Sequence, residues 1–198
     1  RRQLPGTVIG ITGSAGKTTT REIVAHVLGR LHPCHQARKS FNNHIGLPLT
    51  LLEAGAEHRF VVAELGANAA GEIGVLTGIA RPDIAVVLNI FPAHLEGFGS
   101  VDNIIREKSS ICRGLPPDGV FLINGDFPDL VAYCRRLGRE FKTFGFTPGV
   151  DIAAEHASCD GAGGRLVIED TQVEVPLPGR ASLANALAAW AVCRQVGV

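Results

Sequence analysis

Short apolar runs alternate along the chain with stretches whose apolar residues recur every three to four positions. The runs, bounded by turn-forming residues, read as buried strands over Thr7–Thr12, Arg59–Leu65, Ile84–Ile90, Val120–Asn124 and Lys142–Phe146. The stretches between them predict helices over Lys17–Leu31, Leu47–Ala54, Gly71–Ala80, Val101–Arg113, Asp129–Arg139 and Ser182–Val196. In the first of these, Ile23, Val24, Val27, Leu28 and Leu31 share one face. Strand and helix in alternation imply an α/β fold with a mostly parallel sheet flanked by helices. Between Val150 and Pro178 the pattern changes. Gly161-Ala162-Gly163-Gly164 separates short alternating segments around Leu166-Val167-Ile168 and Val173, Val175 and Leu177, which predicts a small antiparallel β excursion attached to the sheet.

At 198 residues the chain is long enough for one sizeable domain or at most two small ones, and 45% hydrophobic against 19% charged residues marks it as folded. Lysine plus arginine equals aspartate plus glutamate, 19 each, so no global field recruits nucleic acid or an anionic membrane. Any anion site is therefore local. Cys34, Cys112, Cys134, Cys159 and Cys193 are odd in number and widely spaced, a pattern of reduced thiols, with no disulfide framework or zinc site. With no bilayer-length apolar stretch and no signal-peptide pattern, the expectation is a cytoplasmic protein without membrane insertion. The chain lacks methionine and runs from Arg1–Pro5 straight into a strand, as a piece of a longer protein would.

The local anion site is legible in Val8-Ile9-Gly10-Ile11-Thr12-Gly13-Ser14-Ala15-Gly16-Lys17-Thr18-Thr19-Thr20. A strand runs into a loop of small residues, and Gly-Lys-Thr opens a helix, the makings of a P-loop. Backbone N–H groups of such a loop and the helix N-terminus cradle phosphate oxygens. Lys17 reaches the β- and γ-phosphates, and the Thr18 hydroxyl is placed for Mg²⁺. Ile11 stands where the strict phosphate-loop pattern has glycine, but Gly13, Gly16, Lys17 and Thr18 keep the turn and the chemistry. The bland alternative is a glycine turn that only joins strand to helix.

Four clusters follow. Ser40-Phe41-Asn42-Asn43-His44-Ile45-Gly46-Leu47-Pro48-Leu49-Thr50 sets two amides before a helix; Val62-Ala63-Glu64-Leu65-Gly66-Ala67-Asn68 ends a strand on a carboxylate. Asn89-Ile90-Phe91-Pro92-Ala93-His94-Leu95-Glu96-Gly97-Phe98-Gly99-Ser100 puts a histidine beyond the next strand, and Glu107-Lys108-Ser109-Ser110 lies on a helix. On that helix Ile104, Ile111 and Leu115 share a face with Ile105 and Cys112 beside them, so Lys108 falls in an apolar stripe. Burial of an ammonium lowers its pKa, and a neutral amine there can take up CO₂. The alternative is a lysine snorkelling from the helix edge.

In order and spacing these segments, over essentially the whole chain, resemble the central ATPase domain of the Mur ligases, and within them the branch that adds D-alanyl-D-alanine. The resemblance implies a peptide ligase of peptidoglycan-precursor synthesis that uses ATP and Mg²⁺, a UDP-linked muramyl peptide and a dipeptide amine, and works as a monomer through an acyl phosphate. Residues 1–198 would be the ATP-binding domain, without the N-terminal UDP-substrate domain and the C-terminal domain, so this piece would bind nucleotide weakly and not ligate. The resemblance further implies nucleotide contacts from Gly13, Ser14, Ala15, Gly16, Lys17, Thr18 and Thr19, with the Asn185 amide near adenine. It implies metal ligation by Thr18, Glu64, His94 and Lys108, the last as a carbamate. Lys17, Lys108 and His94 would be catalytic, and Asn42 and Asn43 would face the muramyl substrate. On the residues alone, Glu64 can also cap a helix, His94 can be a plain loop histidine, and the asparagines can be turn residues. The other histidines, His26, His32, His35, His44, His58 and His156, read as structural or exposed.

The family's His-Asn pair before Asn185 is replaced by Ala181-Ser182, and its Gly-Glu after the lysine by Ser109-Ser110. Ser182 is still expected to cap the last helix. The rival readings are a Mur-type ligase with another acyl or amine substrate, a P-loop switch or motor ATPase, and a relative that only binds nucleotide.

Overall fold

The computed structural model describes residues 4–198; Arg1–Gln3, part of the opening segment singled out above, lie outside the described residues. The chain runs β1 (Thr7–Thr12), α1 (Lys17–Gly29), β2 (Cys34–Gln36), α2 (Gly46–Glu53), β3 (Phe60–Glu64), α3 (Glu72–Ala80) and β4 (Ile84–Val87). It continues through α4 (Leu95–Phe98), α5 (Val101–Ser109), a 3₁₀ turn (Ser110–Gly114), β5 (Val120–Asn124), α6 (Pro128–Arg136) and β6 (Lys142–Gly145). Last come β7 (Ile152–Ala153), β8 (His156–Cys159), β9 (Gly164–Ile168), β10 (Thr171–Val175) and α7 (Arg180–Gln195).

Seven strands form one parallel sheet in the order β2-β3-β1-β4-β5-β6-β7. β1 lies inside it, paired with β3 and β4, and from Val8 to Thr12 it is buried on both faces, hence its unbroken apolar sequence. Its side chains alternate between two cores. Ile9 and Ile11 join Val24 and Leu28 of α1 and Leu183, Leu187 and Val192 of α7. Val8 instead meets Leu47, Ile73, Ile104 and Ile111 from α2, α3, α5 and the 3₁₀ turn. The mostly parallel sheet flanked by helices is as expected.

Several boundaries differ. Ile152–Ala153 belongs to the main sheet as a seventh parallel strand, so the antiparallel excursion, β10-β9-β8, starts only at His156. α1 ends at Gly29, and Leu31 is 58% exposed; the buried face carries Thr20, Arg21, Val24, Ala25 and Leu28. α5 stops at Ser109. There the Ser110 hydroxyl donates to Glu107 O (2.6 Å), a bond that competes with regular helix. Gly114, which ends the turn, packs so close to Thr77 that a Cβ would lie 2.2 Å from its Oγ1. Ser182 does not cap α7: the cap position is Gly179, and the Ser182 hydroxyl donates back to Pro178 O.

Candidate functional site

The parallel order brings the carboxyl ends of β1, β3 and β4 to one edge, where open α/β sheets bind ligands. β1 delivers Gly13–Gly16 there. Gly16, at φ 80°, is the N-cap of α1, a helix end with no side-chain cap, so its first amides are left for a ligand. Gly16 has a second reason to be glycine: a Cβ would lie 2.2 Å from Asn185 Oδ1 on α7.

Two ammonium groups meet in this loop. Lys17 Nζ and Lys108 Nζ both donate to Gly13 O, at 2.9 and 3.1 Å. Lys108 is 4% exposed, within the Ile104, Ile105, Ile111 and Cys112 stripe of α5 and the turn after it. Burial, then the charge of Lys17, lowers its pKa to about 8 against an opposing pull from Glu107. Burial also lowers the Lys17 pKa, with Glu64 opposing. The expected burial of Lys108 beside the glycine turn is present in the structure.

A cleft of about 520 Å³ opens beside these amines. It is lined by Gly13, Ser14, Lys17, Asn42, Asn43, His44, Asn68, Glu72, His94 and Lys108, among others. Of the sequence candidates, the lysines, His94, both asparagines and the start of the loop thus share one chamber. His94 is exposed and held at φ 55°, at the N-terminus of α4. Asn43 also accepts from the backbone of Ile45 (3.1 Å) and Gly46 (2.9 Å), which makes it a helix cap as well as a wall residue. His44 was read from sequence as structural or exposed; it is exposed and lines the cleft.

Glu64 is not on that wall. At the end of β3 it is fully buried, with Asn42 Nδ2 3.5 Å from Oε2 and Arg21 Nη1 3.1 Å from Oε1. The ion pair lacks hydrogen-bond geometry, and Oε1 has no hydrogen bond. Asn185 stands off this chamber too, against Gly16. Thr18 and Thr19 are half-buried in the first turn of α1, and Ala15 is exposed at the loop tip.

Three site residues escaped the sequence reading. Arg21, 2% exposed, neutralises Glu64 and donates to Lys39 O. The amphipathic spacing of α1 was the only available signal, and it pointed to its neighbours. Glu107 accepts from Gly71 N (2.7 Å) and Ile73 N (2.6 Å), so it holds the entrance of α3 beside Lys108. Asn89 binds the phosphate loop through its side chain; it sat in a quoted segment without a role.

Among the described residues no group of three or more His, Cys, Asp or Glu side chains is arranged to hold a metal. By donor chemistry the residues named for a cation offer the oxygen and nitrogen atoms that a phosphate-bound cation takes. The Thr18 hydroxyl is in the first turn of α1, one Glu64 oxygen lacks a hydrogen bond though it faces Arg21, and His94 lines the chamber. As an ammonium Lys108 has no lone pair to offer a cation; an oxygen ligand there would require a carboxylate on its amine.

The Mur ligase middle-domain model matches residues 11–193. The UDP-N-acetylmuramoyl-tripeptide–D-alanyl-D-alanine ligase of Escherichia coli K12 is 37% identical over 204 residues, which take in 100% of this chain and 45% of that protein. MurF from Acinetobacter baumannii superposes with a TM-score of 0.93 at 35% identity, covering 100% of this chain and 44% of that one. MurF ligase from Thermotoga maritima, solved in complex with ADP, gives 0.85 at 33% identity, covering 98% of this chain and 46% of that one. The chain therefore spans less than half the length of these relatives. On a match over nearly its whole length, agreeing with the phosphate loop and the buried lysine beside it, the chain belongs to the Mur ligase family through its middle domain.

Proposed function

We propose that this chain is the ATP-binding part of a ligase that joins D-alanyl-D-alanine to a UDP-N-acetylmuramoyl-tripeptide in peptidoglycan-precursor synthesis. The observation that carries the reading is the convergence of Lys17 and the buried Lys108 on Gly13 O at the end of the cleft. A plain phosphate loop needs the first lysine alone. The relatives' names supply the substrates.

In the proposed reaction the peptide carboxylate takes the γ-phosphoryl group of ATP. The dipeptide amine then attacks the acyl phosphate, forming the amide and releasing phosphate, with ADP as the other product. The amides that open α1 at Gly16, Thr18 and Thr19 bind the phosphates, while Gly13, Ser14 and Ala15 shape the turn around them, the N–H groups of Ser14 and Ala15 being taken by Asn89. Lys17 places its charge where negative charge accumulates during transfer. Asn185, against Gly16, sets the far side of the nucleotide. Asn42, Asn43 and His94 line the chamber that receives the acyl substrate. Thr18, Glu64, His94 and a carbamate on Lys108 would hold Mg²⁺, which supplies charge neutralisation for phosphoryl transfer. With its pKa near 8, Lys108 has a neutral fraction at physiological pH able to add CO₂, releasing one proton. The reading includes a monomeric, cytoplasmic enzyme. No helix among the described residues is long and apolar enough to cross a membrane.

The test uses the full-length protein. Phosphate release from ATP is expected only when the UDP-muramyl tripeptide and D-alanyl-D-alanine are both present, with the amide product found by mass. ATP turnover indifferent to either substrate would overturn the ligase reading. A different preferred amine would move the protein to another branch of the family. Residues 1–198 alone are expected to bind nucleotide weakly and form no amide.

A further inference from the structure

The phosphate loop is held from outside by the segment that follows β4. Asn89 makes a two-point contact with Ala15. Its Oδ1 accepts from Ala15 N and its Nδ2 donates to Ala15 O, both at 2.9 Å. Ser14 N donates to Asn89 O at 3.2 Å. Two residues on, Phe91 N donates to Ser14 Oγ (2.9 Å), which donates to Phe91 O (3.1 Å). The loop tip is thus laced to residues 89–91 by five hydrogen bonds. The base of this lace is firm: Leu88 N donates to Thr12 O (2.9 Å) and Asn124 Nδ2 to Leu88 O (2.9 Å). Three residues beyond Phe91 the same segment presents His94 to the cleft.

The lace uses the N–H groups of Ser14 and Ala15 and leaves the first-turn amides of α1 to the phosphates. We propose that Asn89 is a positioning residue. It presets the phosphate loop in its binding shape and ties that shape to the segment carrying His94, so that nucleotide at the loop is felt at the imidazole. An amide is the one small side chain that both accepts from and donates to a single peptide unit in this way. A carboxylate keeps only the accepting half, and alanine keeps neither. The inference rests on the proposed nucleotide site but is read on ADP binding, independently of amide synthesis.

Asn89→Ala and Asn89→Asp in the full-length protein test it. ADP affinity by calorimetry and the KM for ATP are expected to worsen about tenfold in Asn89→Ala, with Asn89→Asp between it and the wild type. The KM for the dipeptide amine and the unfolding midpoint without ligand should stay near wild type. In hydrogen exchange, ADP should protect the backbone of residues 91–99 in the wild type and fail to do so in Asn89→Ala. ADP affinity within twofold of wild type, or residues 91–99 protected equally in the variant, overturns the proposal. So does a variant whose loss of affinity merely follows a fall in overall stability. Wild-type protein that binds ADP but makes no amide sinks the ligase reading alone, and wild type that binds no ADP sinks both.

Discussion

At the carboxyl edge of the large sheet Arg21, Glu64 and Lys108 are at most 4% exposed, and Lys17 is half-buried. In the small sheet charge is met in the open: Arg165 pairs with Glu174, and Glu169 at the β9–β10 turn reaches Arg194 of α7, all four side chains 44–63% exposed. The two regions share a core, since Leu166, Ile168 and Val175 pack with Ile9 and Leu187. They differ in what their charges cost. A buried ion loses its hydration and must be matched by geometry; an exposed pair loses little and gains little. A fold keeps the first kind where chemistry needs it, and the second decorates a solvated face.

The contrast can be broken at four places, taken from the largest expected effect downward. Arg21→Met leaves Glu64 fully buried without its cation and should cost about 3–5 kcal/mol in urea unfolding; a loss below about 1 kcal/mol would mean that the pair is not the closed unit described. Lys17→Ala should weaken ADP binding about 100-fold in calorimetry, and near-normal affinity would remove the loop from nucleotide binding.

Lys108→Met works in the opposite direction. Its ammonium is disfavoured in the fold, with a pKa near 8 against 10.5 for a free lysine, so between those values the unfolded chain binds more protons and stability rises with pH. Below pH 8 the full penalty is present. In CO₂-depleted buffer the methionine variant should therefore be about 1–3 kcal/mol more stable at pH 7, and should lose most of the rise between pH 8 and 10.5, keeping the part due to Lys17. Gly13 O keeps the Lys17 bond in the variant. Amide synthesis should be abolished all the same. A wild type with flat stability across that window would show that Lys108 is better solvated than its surroundings imply. Arg194→Ala, in the exposed pair, should stay within about 0.5 kcal/mol of wild type, and a larger loss would erase the contrast from the other side.

What the sequence discloses follows the range of the interaction. β1 and β5 have the bounds expected from their apolar runs, because a strand buried on both faces is a local signal. Lys108 was only half legible: its periodic apolar stripe allowed burial or a snorkelling side chain, and the family resemblance decided for burial, which the structure has. β2 was not legible, being three half-buried residues, Cys34–Gln36, with polar side chains. Nor was β7, whose two residues owe their place to β6 alone. Arg21 and Glu64 lie 43 positions apart and Asn89 and Ala15 74, so neither contact has a sequence period. Family resemblance named Glu64, Lys108 and His94 as a group without showing that Glu64 sits behind Asn42 in an ion pair.

The contact of Asn185 with Gly16 joins the first helix's entrance to the last helix, across 169 positions. A ribosome delivers those two ends far apart in time. The parallel strands can pair as they emerge, but the glycine turn has no back wall until α7 is synthesised and laid against α1. Nucleotide affinity is therefore expected to arrive late and abruptly during translation, as a report that the domain has closed.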